Sequence, residues 1–367
     1  MTHSSRRDNL CAEIGAAGLD AILISDLVNV RYLSGFTGSA GALLAYADGR
    51  PAVLATDGRY RTQAVQQAPD LEVAIDRSSG CYLAAQAASA GVRRLGFESN
   101  VVTVDSFDAL AGAVDGAELV RASGTVEALR EVKDAGEIAL LRLACEAADA
   151  ALTELVDRGG LRPGRTEREV GRELEALMLD HGADGPSFET IVATGANSAI
   201  PHHRPTDAVL AAGDFVKIDF GALVAGYHSD MTRTFVLGAA ADWQREVYQL
   251  VAAAQRAGCL ALQPGTGLRD VDTAARQVIR DAGYGECFGH GLGHGVGLRI
   301  HEAPGINAAA DGTLLAGAVV TVEPGLYLPD RGGVRIEDTL VVGSGEPGAP
   351  GRTAELLTRF PKELTIF

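Results

Sequence analysis

An α/β amino-terminal domain over residues 1–125, followed by an α+β domain over residues 126–367, is the fold class this sequence predicts. Short apolar runs alternate with stretches rich in Ala, Gln and Leu through the first hundred and twenty residues. A charged helical pattern breaks that alternation where the composition changes, near residues 122–133. Beyond it, helices and strands arrive in groups instead of alternating one by one. A chain of 367 residues is also long for one core, which points to two domains.

The elements follow in order. Ala21-Ile-Leu-Ile-Ser25, Ala42-Leu-Leu-Ala-Tyr46, Pro51-Ala-Val-Leu-Ala55, Leu71-Glu-Val-Ala-Ile75 and Arg94-Leu-Gly-Phe-Glu98 read as strands, with helices near 59–68, 80–90 and 105–114. Val126 to Arg158 reads as one charged helix opening the second domain, stopped by the breakers of Arg162-Pro-Gly-Arg-Thr166. Thr166 and Glu169 form a capping-box pattern for a helix over 166–181. Strands are expected at 189–194, 215–221 and 232–237, then helices at about 240–258 and 268–282.

Composition narrows the function. The apolar fraction of 47% with 22% charged residues is that of a soluble globular protein. A net charge of −16 argues against nucleic acid and against anionic membrane surfaces. No apolar run approaches the roughly 18 residues needed to span a bilayer. The start is polar, with Arg6-Arg7 read as a solvated helix start and not as an export signal. Five scattered cysteines without a C-x-x-C pair read as free thiols, and the expected location is cytoplasmic.

The chemistry gathers in the second half. Asp219 stands in Val216-Lys-Ile-Asp-Phe-Gly221, where Val216, Ile218 and Phe220 share one strand face and Lys217 and Asp219 the other. Asp230 lies in His228-Ser-Asp-Met-Thr-Arg-Thr234 and His294 in His290-Gly-Leu-Gly-His-Gly-Val-Gly297. Glu323 lies in Thr321-Val-Glu-Pro-Gly325 and Glu337 in Val334-Arg-Ile-Glu-Asp338. Each motif alone has a plain explanation in a strand or a turn; their order and context together carry the argument. Four carboxylates and one imidazole, with no thiolate, suit two hard or borderline divalent cations, Mn²⁺ first and Co²⁺ or Zn²⁺ as alternatives. Without a cation, so many converging carboxylates would raise one another's pKa.

The order Asp, Asp, His, Glu, Glu from about Ile138 to Glu337 resembles the family of aminopeptidase P, prolidase and methionine aminopeptidase, whose catalytic domain is called the pita-bread fold. That resemblance implies a two-metal site held by Asp219, Asp230, His294, Glu323 and Glu337. Creatinase, which keeps the fold without metals, lacks that set. Asn29 to Gly41 and Thr56-Asp-Gly-Arg-Tyr60 resemble the amino-terminal domain of aminopeptidase P. Ser198-Ala-Ile-Pro-His-His-Arg-Pro-Thr206 resembles the Pro-His motif of the proline-peptidase branch, which implies a catalytic His202, with His203 as runner-up. His301 in Arg299-Ile-His-Glu-Ala-Pro304 matches the second catalytic histidine. By the same likeness, Glu323 passes the nucleophile's proton towards the departing amine.

Other positions stay open. His290 is read as orienting substrate or as structural. Arg335, two residues before Glu337 and on its strand face, is read as a brace for a ligand carboxylate or as a surface arginine. The resemblance implies a homodimer, with Tyr32 or Phe36 near an entrance or simply packed under a loop. The function expected is metal-dependent removal of the first residue from Xaa-Pro peptides by a metal-bridging hydroxide. The alternatives are a prolidase restricted to Xaa-Pro dipeptides and, behind it, a metal-free binding module. Some prolidases carry an Arg just after His-Glu-x-Pro to grip the dipeptide carboxylate; here Gly305 stands there, which favours longer peptides.

Overall fold

Ala21–Ile24, buried at all four positions, runs through the middle of a six-stranded sheet. It pairs antiparallel with Gly41–Tyr46 and parallel with Arg94–Phe97. Val53–Thr56 and Glu72–Ile75 extend one side, and Glu118–Arg121 closes the other. The computed structural model describes residues 1–343 and 354–367, in two compact units, Met1–Arg130 and Glu131–Phe367. All five strands expected in the first unit are present within two residues of their bounds. Glu118–Arg121 was not anticipated, because Glu-Leu-Val-Arg offers only two apolar residues.

Arg6 and Arg7 do begin a helix, His3–Ala16, but they are not solvated. Arg6 donates to the Tyr32 carbonyl at 3.1 Å and stacks on the Tyr32 ring. Arg7 donates to the Leu33 carbonyl at 2.7 Å and pairs with Asp70. Tyr32 and Phe36 are themselves buried, Phe36 against the edge of Tyr60. These aromatics are therefore packed within the first unit.

The charged stretch expected as a single helix is two, Thr125–Glu131 and Ala135–Asp157. The sequence carries the reason. Asp134 accepts from the backbone of Gly136 and Glu137, while Glu137 accepts from the Asp134 N–H, a full capping box. Tyr227 holds the other oxygen of Glu137 at 3.0 Å.

The second unit has two cores built alike. In one, Ala135–Asp157 and Glu167–Asp180 cover the antiparallel strands Ile191–Thr194, Phe215–Phe220 and Met231–Val236. In the other, Asp242–Ala261 and Leu268–Asp281 cover a sheet that includes Gly293–Gly295, Val319–Val322 and Asp338–Val341. Two glycines permit the tight crossing in that sheet. A Cβ on Gly293 would lie 2.0 Å from the Thr321 carbonyl oxygen, and one on Gly295 2.0 Å from that of Ala303. The described residues contain no helix long and apolar enough to cross a membrane.

Candidate active site

Strand pairing positions the first ligand candidates. Phe215–Phe220 runs between its two partners with Asp219 opposite both Ile191 and Thr232. Val216, Ile218 and Phe220 enter the core, leaving Lys217 and Asp219 on the other face, as the alternation predicts. Asp230 immediately precedes Met231–Val236, Glu323 follows Val319–Val322, and Glu337 precedes Asp338–Val341. Each carboxylate thus sits at a strand end or on a strand, where the backbone is already held.

Asp219, Asp230, His294, Glu323 and Glu337 all line one cavity of about 290 Å³. Asp230, His294 and Glu337 each bring a ligand atom within 4.8 Å of the others. His294 Nε2 lies 3.5 Å from both Asp230 and Glu323. Its Nδ1 is 3.1 Å from the Gly295 carbonyl, so Nδ1–H donates there and Nε2 keeps its lone pair towards the carboxylates. His202, His203, Arg204 and His301 line the same cavity, with Phe188, Ile191 and Ile300 supplying an apolar wall.

Burial and mutual repulsion dominate the electrostatics. Burial pushes the Asp230 and Glu337 carboxyls well above the carboxylate range, each aided by neighbouring charges including Asp219. Burial pushes Glu323 up to about 8. The same burial pulls His294 down to about 4, keeping it neutral. Oδ1 of Asp219 is buried without a hydrogen-bond partner. A buried, unpartnered oxygen beside three reluctant carboxyls and a neutral imidazole fits a divalent cation, which would favour every ionised form at once.

Arg335 is 2% exposed, so the surface reading fails. Its Nη2 bonds Asp219 Oδ2, and its Nε donates to Thr232 Oγ1 at 3.0 Å. Thr232 in turn donates to Glu337 Oε2 at 2.6 Å, so one guanidinium braces two ligand candidates. Nη1 of Arg335 donates to Tyr327 Oη at 2.7 Å, and the Tyr327 hydroxyl donates to His290 Nε2 at 2.9 Å. His290 Nδ1–H then donates to the Gly291 carbonyl. Burial lowers His290 to about 4 and raises Tyr327 to about 12, so both stay neutral and the chain of donors has one direction. His290 is not among the residues that line the cavity.

The two adjacent histidines separate clearly. His203 is buried, with Nε2 2.8 Å from Glu167 Oε2. His202 is exposed into the cavity. Glu167 also receives Thr194 N, Asn197 Nδ2, Thr206 N and Thr206 Oγ1. Lys217, wholly buried, donates to the carbonyls of Ile200 at 2.6 Å and Pro201 at 3.3 Å, directly before His202. Arg335 Nη1 adds a bond to Pro201 at 3.2 Å. The loop bearing His202 is therefore pinned on both sides.

Thr232, Tyr327, Lys217 and Glu167 were missed as site residues. Thr232 had a weak signal in lying two residues after Asp230, at the start of the strand Met231–Val236. Glu167 was visible only as the residue after a cap, and Lys217 only as a neighbour of Asp219. Their partners lie far along the chain, where spacing carries no information.

Metallopeptidase family M24 matches residues 139–344, and the Creatinase/Prolidase N-terminal domain matches residues 6–132. The chain is 42% identical to the peptidase YqhT of Bacillus subtilis, over 96% of this chain and 97% of that one. It superposes on a Xaa-Pro dipeptidase from Bacillus anthracis with TM-score 0.93 and 40% identity, covering 100% of both chains. An X-Pro aminopeptidase from Thermotoga maritima gives TM-score 0.87 and 35% identity, over 98% of this chain and 99% of that one.

Proposed function

We propose, for a chain that belongs to metallopeptidase family M24 and carries its Creatinase/Prolidase N-terminal domain, that it hydrolyses Xaa–Pro bonds, with Xaa-Pro dipeptides as the substrates that fit best. Its second unit is the pita-bread catalytic domain of that family. The observation that carries the reading is the single cavity in which His202, His301 and all five ligand candidates meet.

Asp219, Asp230, His294, Glu323 and Glu337 would hold the metal, and this oxygen-rich set with one imidazole suits Mn²⁺. When bound, such a centre acts as a Lewis acid towards the scissile carbonyl and its attacking water. Glu323 takes the water's proton on a carboxylate oxygen and delivers it to the proline nitrogen as the C–N bond breaks. His202 and His301 donate N–H bonds to the substrate carbonyl oxygen as charge develops there. Burial holds His301 below the usual histidine range, so it donates as a neutral imidazole. Phe188, Ile191 and Ile300 face a proline ring that brings no N–H of its own.

The dipeptide preference is supported by size. A cavity of about 290 Å³ lies at the lower edge of the range of about 300–1,000 Å³ usual for small-ligand sites. The likeness to a Xaa-Pro dipeptidase over the whole chain supports it too. Removal of single residues from longer peptides is the second reading, favoured by the exposed Gly305 and by the likeness to an X-Pro aminopeptidase. Turnover of Xaa-Pro dipeptides, Xaa-Pro-Yaa peptides and Met-Ala peptides, with chelator and Mn²⁺ add-back, tests both. Rapid Xaa-Pro hydrolysis, lost on chelation, is expected. Cleavage of Met-Ala peptides alone would overturn the proline reading.

A further inference from the structure

We infer that Arg204 is the subsite for the substrate's terminal carboxylate, and so the residue that selects dipeptides; this rests on the Xaa-Pro reading above. A Xaa-Pro dipeptide ends in a carboxylate one residue from the scissile bond. The cavity it must enter is lined by the carboxylates of Glu189, Asp219, Asp230, Glu323 and Glu337. Even with the inner four committed to cations, the outer wall still sets Glu189 against that carboxylate. A matching positive charge must stand at the rim.

Among the described residues, the cationic side chains other than histidine that line the cavity are Arg204 and Arg335. Arg335 is buried, and its donors are turned to Asp219, Thr232, Pro201 and Tyr327. Gly305, the position from which an arginine could reach in, has no side chain. Arg204 is the guanidinium left to face a substrate. Its side chain is 82% exposed and pairs with Glu189 at 3.1 Å, a weak surface pair that a better-placed carboxylate can displace. A guanidinium meets a carboxylate with two parallel N–H bonds, a geometry that a point charge such as lysine does not reproduce.

The loop makes this contact prepaid in order. His203 on one side of Arg204 and Thr206 on the other are both anchored to Glu167 Oε2. Pro205 lies between them. The backbone under Arg204 is thus fixed while its side chain stays mobile, and only rotamers are lost on binding. A longer peptide has an amide where the dipeptide has its carboxylate and draws nothing from Arg204.

The test compares alanyl-proline with alanyl-prolinamide, which differ at that carboxylate alone, in the metal-loaded full chain. Arg204→Ala, at an exposed position, leaves the fold intact; it should raise KM for alanyl-proline about three- to tenfold with little change in kcat, and leave the amide unaffected. Arg204→Lys should recover only part of the loss. Glu189→Gln, which frees Arg204, should lower KM for the acid. Equal effects of Arg204→Ala on acid and amide, or none on either, overturn the inference while the Xaa-Pro reading stands. Failure of the unaltered chain to cleave either compound overturns both.

Discussion

Replacing Glu167 with glutamine sets five hydrogen bonds against a side chain that has only one oxygen. Oε1 receives Thr194 N and Asn197 Nδ2, both at 2.9 Å. Oε2 receives His203 Nε2, Thr206 N and Thr206 Oγ1, at 2.8, 2.9 and 2.7 Å. The glutamine keeps its oxygen where three donors converge and turns its NH₂ towards Thr194 N. The Asn197 amide can rotate to answer it; the backbone N–H cannot. One buried donor left bare costs about 1–3 kcal/mol, and weakening three charge-assisted bonds to neutral ones adds a few more tenths to about 1 kcal/mol each. The total expected is about 2–6 kcal/mol. Urea unfolding followed by the fluorescence of Trp243, the chain's one tryptophan, reports the catalytic unit that contains it. Acid should narrow the gap. Burial works against ionisation of Glu167, but its hydrogen bonds outweigh burial and hold the pKa below the usual glutamate value. The folded state therefore binds this proton less readily than the unfolded one. The stability it contributes is present above the unfolded pKa of about 4.3 and is lost as pH falls through the lower folded value. The reasoning is refuted by a loss under 1 kcal/mol at pH 7, or by a difference that does not shrink on acidification.

Asp230→Asn and Glu337→Gln should each lower metal content by elemental analysis and remove nearly all peptidase activity while circular dichroism is unchanged; full occupancy with retained turnover would sink the ligand assignment. His202→Ala should cut kcat about 10²-fold or more at unchanged thermal stability, as loss of a donor to a developing oxyanion does, whereas His203→Ala should show as a lowered melting temperature. The reverse pattern would exchange their roles. Lys217→Met should slow turnover about 10- to 10²-fold by loosening the Ile200-Pro201 backbone before His202, and should cost about 1–3 kcal/mol of stability because the Ile200 and Pro201 carbonyls lose that donor. An unchanged kcat would mean that Arg335 alone holds Pro201.

The fold class was legible because its signals are local, and the candidate ligands because the order of their motifs along the chain resembles that of a known family. Alternation along Val216–Phe220 says which face of that strand is buried, and residue type says what Asp219, Asp230, His294, Glu323 and Glu337 can bind. The capping box Asp134-x-x-Glu137 was equally local, and the break it makes in the long charged helix could have been read. The choice of His202 over His203 came from the resemblance of the Pro-His motif and not from any local pattern. Both are histidines in one loop, and only the arrival of Glu167 from a distant helix assigns one to the scaffold and leaves the other to the cavity. Likewise, the two-residue spacing predicted one strand face for Arg335 and Glu337, whereas Arg335 ends the strand Gly332–Arg335 and Glu337 precedes Asp338–Val341; the path of Arg335 to Asp219 and Thr232 depends on which strands lie side by side. Sequence determines a residue's chemistry and its local direction. Which charges, donors and lone pairs lie within reach of it is a matter of contacts between distant segments, and those contacts decide here what each group is free to do.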